Sequence, residues 1–135
     1  MAIETIDSFH AAATVAVDNN GTPNFVHSAN QGFAAFGTEP DKNSLRIGPG
    51  RFRLRLVSPV NLLAGEAVAW GFPLAAGFFP ENHQGPQEVF VGFDPEDNVR
   101  FLDVQTQRAG QDADLTFFSI VVLRLGQQLS PGATQ

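Results

Sequence analysis

The stretch that decides the fold is Leu115 to Leu125, LTFFSIVVLRL, because both of its faces are apolar. At the two-residue period of a strand, Leu115, Phe117, Val121, Leu123 and Leu125 point one way, and Phe118, Ile120 and Val122 point the other. Only Thr116, Ser119 and Arg124 interrupt the pattern. A strand on a half-wet antiparallel sheet alternates apolar with polar residues. This one therefore either runs centrally in a two-layer core or has its second face covered by another subunit.

The segments leading to it are also strand-like. Arg51 to Val57 alternates cleanly, with Phe52, Leu54 and Leu56 on one face and Arg51, Arg53 and Arg55 on the other. Glu66 to Phe72 divides by size: Val68, Trp70 and Phe72 are bulky, whereas Ala67, Ala69 and Gly71 leave a bare face that another layer can approach closely. Glu88 to Asp94, the turn Asp94 to Asn98 and Val99 to Gln105 read as a hairpin, with a bulge expected where the alternation slips at Phe101-Leu102. Arg108 to Asp114 reads as a polar loop.

Further upstream, Phe9 to Asp18 is a first strand with Ala11, Ala13, Val15 and Val17 on one face, and Asp18-Asn19-Asn20-Gly21 turns the chain into Asn24 to Ser28. Asn30 to Gly37 fits either a short strand or one helical turn, since Phe33 and Phe36 lie three apart. Leu45 to Ile47 precedes the Gly48-Pro49-Gly50 break, and the proline-rich Pro73 to Gln87 is incompatible with a regular interior strand. Met1 to Ser8 reads as an N-terminal arm and Gly126 to Gln135 as a tail. The expectation is one all-β domain over residues 1–135, an antiparallel, jelly-roll-like β-sandwich of about eight strands.

Composition narrows the function. The 135 residues contain no cysteine, which removes disulfides, thiolate metal sites and cysteine nucleophiles. Thirteen Phe, one Trp and no Tyr suit dry interiors more than the Tyr-rich surfaces of many sugar or antigen binders. A formal charge of -6, from 14 acidic and 8 basic residues, argues against nucleic acid or an anionic membrane as partner. The N-terminus lacks a basic start, and no stretch reaches the roughly 18 apolar residues of a membrane span. Synthesis in the cytoplasm without a signal peptide is expected.

Motifs for chemistry are sparse. His10, His27 and His83 are dispersed, and neither H-x-H, H-E-x-x-H nor G-x-S-x-G occurs. No catalytic residue, cofactor or metal is expected, and the chain reads as a non-enzyme. Asp94, Glu96 and Asp97 form a solvated acidic turn lacking the calcium-loop pattern. The stripe Arg51, Arg53 and Arg55 suits an acidic partner surface, or else pairs with acidic side chains on neighbouring strands. Leu74, Phe78 and Phe79 sit in the proline-rich loop, as a sticky patch or as a lid over the end of the sandwich. With Phe118, Ile120 and Val122, these residues form the expected contact surface of a homo-oligomer.

Three stretches carry a resemblance: Gly50-Arg51-Phe52-Arg53-Leu54-Arg55-Leu56; Val99-Arg100-Phe101-Leu102-Asp103-Val104-Gln105-Thr106; and the Gly110 to Asp114 loop feeding Phe117 to Leu125. Over a little more than half the chain this pattern resembles the small β-sandwich modules of bacteriophage virions and, more distantly, the trimeric jelly rolls of the C1q and tumour-necrosis-factor kind. The resemblance implies a structural virion protein, trimeric, decorating a capsid or belonging to a tail or fibre and touching other structural proteins. The alternatives are a carbohydrate-binding β-sandwich using Trp70 as platform and a metal-dependent jelly-roll enzyme.

Overall fold

The computed structural model describes residues 6–26, 30–62, 64–73, 86–94 and 96–125. They form nine strands and no helix: β1 (Ile6–Val17), β2 (Pro23–Phe25), β3 (Leu45–Gly48), β4 (Arg51–Arg55), β5 (Ala67–Pro73), β6 (Gln87–Phe93), β7 (Phe101–Arg108), β8 (Gln111–Asp112) and β9 (Phe117–Leu125). Two antiparallel sheets result, a four-stranded one in the order β2-β1-β9-β5 and a five-stranded one in the order β3-β4-β7-β6 with β8 also on β7. The chain is an all-β sandwich. It crosses between the layers after β2, β4, β5 and β8.

The doubly apolar strand is central. β9 pairs with β1 on one side and with β5 on the other. Phe118, Ile120 and Val122, expected at a subunit contact, are 0% exposed and face the second sheet, with the Phe118 ring centroid 5.1 Å from that of Phe52. They are core residues and cannot touch another chain. Leu115, expected beside Phe117, is also in the core, because the strand begins only at Phe117.

The inner faces follow the two-residue period. Ala11, Ala13, Val15 and Val17 of β1, Phe52 and Leu54 of β4, and Leu102 and Val104 of β7 fill the space between the sheets. Phenylalanine rings continue this core from Phe118 through Phe52 and Phe36 to Phe25 and Phe33. Residues 30–37 are neither strand nor helix: isolated bridges hold Gln31, Phe33 and Phe36, and the Asn30 side chain both donates to and accepts from the Phe33 backbone. The bare face of β5 points inward. A Cβ at Gly71 would run into Val89 of the second sheet and Ile120 of its own, so the second sheet approaches closely there.

Two expectations change at the ends of strands. The N-terminal arm expected over residues 1–8 does not reach Ser8, because Ile6 to Ser8 already belong to β1; register shifts between Ile6 and Ser8 and between Phe9 and Ala11 erase the sequence period while the pairing continues. Phe101-Leu102 is not a bulge, since β7 keeps unbroken register with both β4 and β6. Both side chains are buried on opposite faces: Leu102 in the core, and Phe101 beneath the Arg53 guanidinium, 5.5 Å from the ring centroid.

The expected polar loop at 108–114 is a tight hairpin. Ala109 and Gly110 turn it with φ of 53° and 80°, and β8 pairs back onto β7. Beyond it, Asp114 accepts from Arg46 Nε at 3.2 Å and from the Gly50 amide at 2.8 Å, tying the β3–β4 hairpin to the start of β9. Gly50 has φ +69°, and an added Cβ there would lie 2.5 Å from Thr106 O.

Candidate interaction surfaces

The outer face of the four-stranded sheet carries no charged side chain along four of its rows, and Glu66, whose carboxylate accepts from the Asn61 amide, stands at its end beside Leu125. Cross-strand register sets its rows: Phe9, Leu123 and Val68; Ala12, Val121 and Trp70; Thr14, Ser119 and Phe72; and Asn24, Ala16 and Phe117. Thr14 and Ser119 hydrogen-bond to each other at 2.9 Å, so the polar pair in the middle presents little demand for water. The bulky side of β5 remains open, with Val68 40%, Trp70 46% and Phe72 41% exposed. Phe90 and Phe93 of β6 are also exposed, so apolar surface wraps around the side of the sandwich where β5 and β6 lie.

This is the open apolar surface that reading β9 alone misses. The signal was present in the size division of β5; what β9 could not show is which of its two apolar faces the second sheet would take. Leu74, Phe78 and Phe79, the other apolar residues expected at an interface, lie outside the described residues.

The outer face of the five-stranded sheet is polar and internally paired. Arg51 Nε donates to Asp112 at 3.1 Å, and Arg53 bonds Asp94 at 2.8 Å with Asp103 at 3.8 Å. Asp94 is buried, and its carboxylate also accepts from the Glu96 amide, which fixes the turn leading into β7. The arginine stripe therefore spends two of its guanidinium groups within its own chain. Arg55 Nε is buried without a hydrogen-bond partner among the described residues. Between these strands lies an open groove of about 590 Å³, walled by Ile47, Arg51 and Phe90 with Gly92, Asp103 and Gln105 as its floor.

Two carboxylates on this face titrate in opposite directions. Hydrogen bonds from Gln105, Arg51 and Gln107 hold Asp112 below the usual range. Burial, and then the neighbouring Asp94 charge, push Asp103 up against the pull of Arg53 and Arg51. Asp103 thus binds its proton more tightly folded than unfolded. Its stabilising contribution is complete below the unfolded pKa and is lost as pH rises through the folded one. Asp103→Asn, which cannot ionise, should be more stable than the wild type near neutral pH, with the difference vanishing below about pH 4. Urea midpoints at the two pH values check this; a variant less stable at neutral pH contradicts it.

Among the described residues no group of three His, Cys, Asp or Glu side chains is placed to hold a metal ion. His10 bonds Ser58 O at 2.7 Å, while His27 and His83 lie outside the described residues. No protein-family model matches the sequence, and neither the curated proteins nor the solved structures contain a significant match.

Proposed function

We propose that this chain is a non-enzymatic structural module that acts by self-association within a larger assembly, a virion's capsid decoration, tail or fibre being the setting its strand pattern resembles. The observation that carries the reading is the apolar outer face of the β2-β1-β9-β5 sheet with its open row Val68, Trp70 and Phe72. Contiguous exposed apolar surface on a sandwich marks a contact site more often than it marks bare surface.

A second copy of the chain is the occupant that fits. The protein carries a net charge of -6, so copies repel one another through most approaches. The row Val68, Trp70 and Phe72, which carries no charge, is the approach that avoids this repulsion, and apolar surface covered there contributes about 25 cal/mol per Å².

Trp70 is the sole tryptophan and sits in the middle of the row, which makes it a built-in reporter. Its emission should lie to the blue at high protein concentration and move red on dilution as copies separate. A red, solvent-exposed emission at every concentration would remove the self-association reading.

A further inference from the structure

We infer that two copies of this chain join along the free edge of β5, antiparallel about a two-fold axis at Trp70, so that two four-stranded sheets become one of eight strands. This rests on the self-association reading and gives its geometry. The unit it predicts is a dimer, in place of the trimer expected from the strand pattern.

The four sheet edges are not alike. β2 is three residues long and opens with Pro23; β3 is four residues long and breaks register after Arg46. β6 carries the exposed charge of Glu88. Shortness, proline, bulges and charge are the usual devices that keep an edge from pairing. β5 is seven residues of unbroken register, AVAWGFP, with no charge, and its one proline stands at its very end. Among the described residues no strand pairs with its second side.

The backbone of that edge faces outward in usable register. The Leu125 amide donates to Glu66 O at 3.0 Å, which places Glu66, Val68, Trp70 and Phe72 in the positions bonded to β9. By the alternation of an antiparallel ladder, Ala67, Ala69 and Gly71 direct their N–H and C=O groups to the free side. Their side chains are small and turned to the core, so nothing on them shields those groups.

Symmetry then selects the register. An axis at Trp70 sets Ala69 opposite the partner's Gly71 as hydrogen-bonded pairs and Val68 opposite the partner's Phe72 in the apolar row. Pro73, lacking an N–H, falls opposite the partner's Ala67 at the end, where only its carbonyl is needed. An axis at Ala69 instead would set Phe72 against the partner's Glu66, a poor cross-strand pair.

Amide exchange of the unmodified protein, read beside its native mass, tests the inference. Ala69 and Gly71 amides should exchange at least about tenfold more slowly in the assembled protein than after dilution to monomer. In parallel, Trp70→Cys in this cysteine-free chain should form a disulfide dimer under mild oxidation, since facing residues at a non-hydrogen-bonded pair lie about 4.5 Å apart at Cα. Val57→Cys, exposed and away from the edge, should not. An oligomer whose Ala69 and Gly71 amides exchange freely overturns edge pairing while leaving self-association standing. A monomer whose amides are protected means that the chain covers its own edge, and a monomer with free amides overturns both.

Discussion

Lysine at both Val68 and Phe72 should give a protein that folds and no longer assembles. Both side chains point out of the sandwich and are about two-fifths exposed, so their inner contacts are few and a flexible lysine can reach water from either site. In the edge-paired assembly Val68 stands opposite the partner's Phe72, a cross-strand contact worth roughly 0.2–1 kcal/mol at each of two symmetric pairs, and lysines there set like charges against each other at similar cost. Lost contacts and repulsion together should raise the dissociation constant at least about tenfold. Sedimentation velocity should show the monomer at concentrations where the wild type is assembled, with an unchanged far-ultraviolet circular dichroism spectrum. A folded double variant with wild-type mass would place the interface elsewhere.

Phe52→Ala should have the largest effect on the fold itself. The ring is 2% exposed, and its centroid lies 5.1 Å from that of Phe118 and 6.4 Å from that of Phe36, so it joins the central strand β9 to the aromatic run of Phe36, Phe25 and Phe33. Removing a buried phenylalanine costs about 3–5 kcal/mol in transfer and cavity terms. A domain of this size is stable by only about 5–15 kcal/mol. Urea denaturation should show most of the stability gone at an unchanged slope. A loss below about 1 kcal/mol would mean that the core closes over the cavity, which dense packing of a sandwich interior resists.

Legibility in the sequence followed the regularity of the backbone. β4 was plain because Phe52, Leu54 and Leu56 alternate with three arginines, and the inner face of β1 was plain from Ala11 to Val17. Where a bulge shifts the register, as between Phe9 and Ala11, the side-chain period breaks although the strand does not, and Ile6 to Ser8 read as an arm. Phe101 misled in the opposite way. Its burial beneath Arg53 on the polar face mimics a register slip, because an aromatic ring covered by a guanidinium looks inward in sequence alone.

The open apolar surface was half legible for a related reason. A strand apolar on both faces announces that both will be covered, but the choice between them belongs to the second sheet. β4 and β7 took Phe118, Ile120 and Val122, which left Val121 beside Trp70 on the outside. The clue lay one strand away, in β5. Its alanines and Gly71 suit only the side where the second sheet approaches closely, so Val68, Trp70 and Phe72 must face out.

Native mass in solution tests the central claim most directly, by light scattering behind a sizing column across a dilution series at low and high salt. Self-association through the uncharged β5 strand predicts an oligomer that survives high salt and falls to the 14.5 kDa chain only on dilution. A monomer at every concentration and at both salts would contradict it.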